Sequence, residues 1–331
     1  MLKTFGKAPS GNRLQRIHNS PNYKDGSFKN IEPTEAILKG ASMRKIMVDF
    51  FFSKVKDLYP PAPIQSVKTD LNTLSDEKSS LVWFGHSSYY INHKGFKILV
   101  DPVFSGHASP FSSMVKAFDG ADIYKAEDIP QIDILLITHD HYDHLDYETI
   151  LKLKGKFKKV ITALGVGSHL EYWGIEENKI VELDWWENFR VTENIEFTST
   201  PSRHFSGRTT KRANTLWSSF VLNLGDKKIF LGGDSGYDSQ FKNIGEKFGP
   251  FEFALLDCAL YGAAWPYIHM VPEQTTQAAI DLKAKYLIPV HWGKFKLANH
   301  SWNEPVERIR KSATDLNLRV EIPVIGEVVE F

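Results

Sequence analysis

Between Thr138 and Asp146 the chain places three histidines and three aspartates in nine residues, Thr-His-Asp-His-Tyr-Asp-His-Leu-Asp. This run follows Ile134–Thr138, a short and almost wholly apolar stretch that reads as a buried strand. A buried strand holds His139 in place, and the polar loop after it lets the neighbouring groups converge. His139 and His141, two residues apart, can face one metal ion, and Asp143 and His144 can face a second close by. Imidazole and carboxylate suit zinc, and also iron or manganese. A plain polar loop or helix cap is the alternative, but it rarely concentrates six such groups behind a buried strand.

One loop cannot close two sites, so the missing ligands are expected at other strand ends. His204 follows the strand ending Ser199-Thr200-Pro201, Asp234 follows Ile229–Gly233, and His291 follows Leu287–Val290. Singly, a His or Asp at a strand end is more often a cap or a satisfied polar residue. Together with the loop, the three complete a set of seven donors.

From residue 80 onward, strand patterns come first as a meander and later alternate with helical ones, notably Pro272–Ala284 and Glu304–Leu316. That order predicts two packed sheets flanked by helices. We divide the chain into an arm, residues 1–78, and a two-sheet domain, residues 79–331. The arm opens with six Lys or Arg against one acid, Asp25, in its first 30 residues, and reads as irregular. A short helix around Ile46–Phe52 should then end before Tyr59-Pro60-Pro61, packed on the domain or offering an apolar surface to a membrane or substrate.

Composition narrows the function. Lys plus Arg number 40 and Asp plus Glu 40, so the net charge is zero and no basic excess favours nucleic acid. The single cysteine, Cys258, excludes an intramolecular disulfide and a multi-thiolate zinc site. With no secretory pattern at the N-terminus and no long apolar run, the expectation is a cytoplasmic protein with peripheral membrane contact.

The order His-x-His-x-Asp-His, followed by His, Asp and His at strand ends, resembles the metallo-β-lactamase superfamily. Within it the chain is similar to the branch of N-acylphosphatidylethanolamine-hydrolysing phospholipase D and its bacterial relatives. The similar segments include Trp83–His86, Asp101-Pro102, Glu182–Glu187, Thr200–His204, Gly233–Tyr237 and His291-Trp292-Gly293. The resemblance implies an αββα sandwich of two mixed β-sheets flanked by helices, with two divalent metal ions at one edge. It assigns His139, His141 and His204 to one ion, Asp143, His144 and His291 to the other, and Asp234 to a bridge. Zinc is the expected metal, with iron and manganese as alternatives. The implied activity is phosphodiester hydrolysis of phospholipase D type through a metal-bound hydroxide, on N-acylphosphatidylethanolamine-like lipids. A lactone or sugar-ester hydrolase of the same fold is the alternative.

Asp143 and His269 are the catalytic candidates. His269 matches a functional histidine of the branch, suited to binding phosphate or protonating the leaving alkoxide; a structural loop histidine is the plainer reading. His86 reads as a donor behind the site, with direct contact as the alternative. Asp101 and Asp146 are expected to orient ligating imidazoles. Tyr142 is expected against substrate or in the core, and Trp185-Trp186 in the core. The basic run Lys152, Lys154, Lys156, Lys158 and Lys159 reads as a solvated edge or a dock for anionic headgroups.

Overall fold

The computed structural model describes residues 2–331. A hairpin pairs β1 (Tyr23–Lys24) with β2 (Ser27–Phe28). A first sheet is then built from β3 (Ser79–Trp83), β4 (Tyr89–His93), β5 (Phe96–Val100), β6 (Ile132–Ile137), β7 (Phe157–Ala163) and β8 (Ile180–Leu183). A second takes β9 (Asn188–Arg190), β10 (Glu196–Pro201), β11 (Ser218–Asn223), β12 (Lys228–Leu231), β13 (Phe251–Asp257), β14 (Ala284–Val290) and β15 (Arg319–Val320). The last strand, β16 (Val328–Glu330), returns to the first sheet beside β3. Each sheet has seven strands, ordered β16-β3-β4-β5-β6-β7-β8 and β15-β14-β13-β12-β11-β10-β9.

Both sheets are mixed. Strands β5 to β8 are parallel, as are β12 to β15; the other pairs are antiparallel. The parallel strands need crossovers; the one from β5 to β6 is a long loop, and five helices supply the others: α3 (Tyr147–Leu153), α4 (Gly167–Tyr172), α5 (Gln240–Phe248), α6 (Pro272–Asp281) and α7 (Glu304–Asp315). Two earlier helices, α1 (Gly11–His18) and α2 (Met43–Phe52), belong to the arm.

Side chains alternate across each strand, so apolar residues on both faces feed different layers. Leu81, Trp83, Ile134, Leu136, Leu231 and Leu255 fill the space between the sheets. Val82, Leu135 and Ile137 point outward onto Ile150, Leu153 and Leu170. Phe230, Ala254 and Leu256 point outward onto Ile244, Ala278 and Ile309. The result is the expected αββα sandwich, and burial on both faces explains why β6 is apolar without a break from Ile134 to Ile137.

Helix α5 lies so close to the end of α6 that a Cβ on Gly245 would sit 2.0 Å from the Asp281 carbonyl oxygen and 2.8 Å from Leu282 Cα. We expect Gly245→Ala to push the two helices apart and cost about 1–3 kcal/mol, the usual range for an overpacked contact. Urea titration of the metal-free protein checks this; an unchanged midpoint would mean that the helices separate freely.

The arm corrects two expectations. Its first 30 residues are not irregular: α1 buries Ile17, and the hairpin buries Phe28, in the layer beneath the first sheet. Arg13 holds α1 to the domain through Glu182 at 2.6 Å and Glu171 at 2.7 Å. One buried side chain per element leaves no periodicity to read. Helix α2, in contrast, buries none of its residues, and Phe52 is 75% exposed. It is attached through Lys296, whose ammonium meets the Phe50 carbonyl and lies 3.8 Å from the Phe50 ring centroid. No helix among the described residues is long and apolar enough to cross a membrane.

Candidate metal centre

Parallel strands bring their carboxyl ends to one edge, the usual place for a site in such sheets. Here β5 and β6 of one sheet and β12, β13 and β14 of the other end together, at Asp101, His139, Asp234, Asp257 and His291. Backbone bonds close the edge. Ser218 N donates to Thr138 O at 3.1 Å, His291 N to His86 O at 2.9 Å, and His86 N to Trp292 O at 2.8 Å. His86 and His291 both adopt left-handed backbone, with φ of 56° and 68°. For a residue with a Cβ this costs about 1–2 kcal/mol, strain that the surrounding packing maintains.

Two donor clusters form. In the first, His141 Nδ1 lies 2.9 Å from His139 Nε2 and 3.2 Å from His204 Nε2. In the second, Asp143 Oδ2 lies 3.4 Å from His291 Nε2 and 3.7 Å from His144 Nε2. Asp234 Oδ2 stands between the clusters. It is 3.7 and 3.6 Å from His139 and His204 Nε2, and 3.2 and 3.3 Å from His144 and His291 Nε2. All seven sequence candidates thus meet at one sheet edge, His141 and Asp143 half-buried and the rest buried, with Asp234 placed to be shared.

The donors fit metal ions. Asp234 Oδ1 and His144 Nε2 are buried and have no hydrogen-bond partner. Around a tetrahedral ion with bonds of about 2.05 Å, neighbouring ligand atoms sit about 3.3 Å apart, close to the spacings found here. Protonation states agree. Burial holds the His139 and His204 imidazoles well below their ordinary value, and His291 down to about 3, so their lone pairs are free. Burial opposes ionisation of Asp143 and Asp234, but the surrounding imidazoles, His144 first, hold both well below the usual carboxylate range. His144 is the exception. Burial lowers it, yet the charges of Asp234, Asp143 and Asp101 lift it well above its ordinary value.

The supporting residues divide. Asp101 accepts from His144 Nδ1 at 2.8 Å and from Thr138 N and Oγ1 at 2.9 and 2.6 Å, as expected of an orienting carboxylate. Asp146 does not orient an imidazole. It caps α3 and accepts from Ser105 N and Thr149 Oγ1, because the chain has already turned away from the site. His86 touches the site directly through Nε2, 2.9 Å from Asp143 Oδ2. Tyr142 donates to Arg208 O at 2.6 Å beneath the Arg208 guanidinium. Trp185 is buried, but Trp186 is 37% exposed under Lys247. In the basic run, Lys152, Lys154 and Lys158 are exposed, as a solvated edge requires, while Lys156 Nζ donates to the carbonyls of Ala126, Glu127 and Ile129.

Sequence reasoning missed Asp140 as a support. Its carboxylate turns away from the donor clusters and accepts from Gly207 N, Thr215 Oγ1 and His169 Nε2 at 2.7, 2.9 and 3.1 Å. It also missed Asp257, whose Oδ2 lies 3.5 Å from His269 Nδ1. The available signal was a lone acid ending the apolar run Phe253–Leu256. Burial, the charge of Asp234 and opposition from His269 leave the Asp257 carboxyl raised to about 7.

A family model described as a beta-lactamase superfamily domain matches residues 97–292. The chain belongs to that family and is a metallo-hydrolase of the β-lactamase fold. It is 36% identical to an uncharacterized protein of Mycobacterium tuberculosis, over 94% of this chain and 84% of that one. It is 34% identical to the mitochondrial N-acyl-phosphatidylethanolamine-hydrolyzing phospholipase D of Saccharomyces cerevisiae, over 70% of this chain and 51% of that one. Among solved structures it is similar to Igni18, a metallo hydrolase of Ignicoccus hospitalis, with TM-score 0.60 and 21% identity over 77% of this chain and 98% of that one. It also shares its fold with CmlA, a diiron β-hydroxylase of Streptomyces venezuelae, with TM-score 0.56 and 19% identity over 78% and 55%.

Proposed function

We propose that residues 79–331 form a dinuclear zinc phosphodiesterase of phospholipase D type, acting on N-acylphosphatidylethanolamine-like lipids, with residues 1–78 as its arm. The observation that carries this reading is the seven-donor cluster shared at Asp234 Oδ2; the yeast and nematode relatives named for that activity support the substrate class. His139, His141 and His204 would hold one ion, Asp143, His144 and His291 the other, and Asp234 both. When bound, two divalent ions supply Lewis acidity toward a phosphoryl oxygen and a deprotonated water at neutral pH. The chain itself keeps Asp143 and Asp234 ionised, holds His144 through Asp101, and sets His269 beside the pocket, its ring centroid 5.2 Å from that of His291.

Cys258 is no nucleophile, since burial pushes its thiol up well above the ordinary range. Hydrolysis should therefore proceed in one displacement, and a chiral phosphorothioate diester should give inversion at phosphorus. Retention would point to a phosphoryl-enzyme and remove the single-displacement reading. The metal-loaded protein should also cleave bis(p-nitrophenyl) phosphate faster than lactones; the reverse order would favour the lactone or sugar-ester alternative.

Peripheral membrane contact is part of the same proposal. Met43, Met47, Phe51 and Phe52 of α2 are exposed, with Arg44, Lys45, Lys54 and Lys56 around them. Of these, Phe51 borders a cavity of about 630 Å³ that also includes Phe50, Tyr59, Phe118 and Lys296. Apolar and basic groups together suit an anionic lipid surface. Phe51→Ser with Phe52→Ser should weaken sedimentation with anionic vesicles while leaving turnover of a soluble diester intact; equal sedimentation would remove the lipid contact.

A further inference from the structure

Asp257 is a buried carboxylate that the reading above leaves without a task. It ends β13 opposite Val290 and so lies next to His291 across the ladder. Neither of its oxygens has a hydrogen-bond partner, although the residue is only 1% exposed. A buried carboxylate without a partner is strongly unfavourable. The groups facing it are the backbone N–H of Ser235 and the ring of His269. His269 Nδ1 is also buried and unpartnered, so two orphaned atoms point at each other across 3.5 Å. That gap is just beyond hydrogen-bond length, and such contacts in active sites commonly tighten only with substrate bound.

The His269 ring is wedged in place. It stacks on His291 at 24° and meets His204 edge-on, with centroids 4.9 Å apart. One of its ring nitrogens lies within 4.8 Å of donor atoms of both Asp234 and His291. The ring nitrogens occupy different edges. With Nδ1 turned to Asp257, Nε2 is the edge left for substrate, and no described residue hydrogen-bonds it.

We propose that Asp257 is the positioning residue of His269, accepting its Nδ1 proton so that Nε2 faces the leaving oxygen of the phosphodiester. The proposal rests on the phosphodiesterase reading. In the step it serves, the P–O bond to the alcohol breaks and water forms the new P–O bond. The Nε2 proton of the charged ring passes to the departing alkoxide. One proton from the attacking water then restores the ring, and the other stays with the phosphate product.

The test compares the metal-loaded wild type, Asp257→Asn, His269→Ala and the double variant on two diesters, one with an alkyl leaving group and one with p-nitrophenol. Asp257→Asn should lose about 10²-fold in kcat on the alkyl diester with little change in KM. Its loss on the p-nitrophenyl diester should be at least about tenfold smaller, because that group departs without a proton. The double variant should be no worse than His269→Ala. Equal losses on both diesters, or losses that multiply, would overturn the assignment and make Asp257 structural. A ¹⁵N–¹H spectrum of histidine-labelled holoenzyme gives a second readout that needs no turnover. It should show a hydrogen-bonded Nδ1 proton on His269 that disappears in Asp257→Asn. If the wild type cleaves neither diester, the phosphodiesterase reading falls, and this spectrum alone decides Asp257: no such proton overturns the proposal.

Discussion

Asp234→Ala, purified with added zinc, is expected to bind about one equivalent of metal or less and to lose at least about 10³-fold in kcat/KM on a phosphodiester. Its Oδ2 approaches four imidazole nitrogens, on His139, His144, His204 and His291, from both clusters at once. No neighbouring carboxylate can replace it, since Asp143 reaches only the second cluster. Losing a charge shared by two ions removes about 4 kcal/mol of stabilisation, and each 1.4 kcal/mol is worth about tenfold in rate. Thermal melting separates this from unfolding. Wild-type protein should gain stability with zinc by mass action, and the variant should gain much less. Full metal occupancy with full activity in Asp234→Ala would sink the assignment of the bridge.

Asp140→Ala should instead damage the fold itself, by about 3–5 kcal/mol in the metal-free protein. The carboxylate satisfies Gly207 N, Thr215 Oγ1 and His169 Nε2, all at a buried position. Lys7 N donates to His169 Nδ1, which places the ring proton on Nε2, facing Asp140. Removing the acceptor strands three donors, two of them on the buried residues His169 and Thr215. Beside it the buried Arg208 donates to the carbonyls of Asp140, Leu145 and Thr4, so the same knot fastens the N-terminus behind the metal loop. Burial opposes the Asp140 charge, but His169 and Arg208 hold its carboxyl below the usual range. The folded value is therefore depressed relative to the unfolded chain, near 3.9. The contribution is fully present above about pH 5, and it fades as acid protonates the unfolded carboxylate and then the folded one. Urea titrations at pH 7 and at pH 3 should show the gap between wild type and variant narrowing. A difference under about 1 kcal/mol at pH 7 would mean that water or a rearranged loop replaces the carboxylate.

Asp140 and Asp143 show where reading the sequence stops. They are three residues apart in one polar loop, with the same side chain and the same apparent qualification as ligands. Asp143 turns toward His144 and His291, whereas Asp140 turns toward residues 29 to 75 positions further along the chain. Asp146, expected to serve a histidine, lies where the loop becomes α3 and serves as its cap. The arm carries the same lesson, since Ile17 and Phe28 belong to a core assembled by other segments.

The chain's local patterns alone determined most of the strands, though not β1, β2, β8, β9 or β16, together with the two crossover helices and the chemistry of the site. Alternation and apolar runs are properties of neighbours in sequence, and three histidines with three aspartates behind a buried strand suit few tasks besides metal binding. Only the tertiary structure decided which carboxylates join the donor clusters, that His86 touches Asp143, and that Asp257 lies beside His269. Those contacts join strand ends on two sheets, and their orientation depends on packing, backbone strain and unsatisfied buried charge. None of these is a property of residues adjacent in the chain.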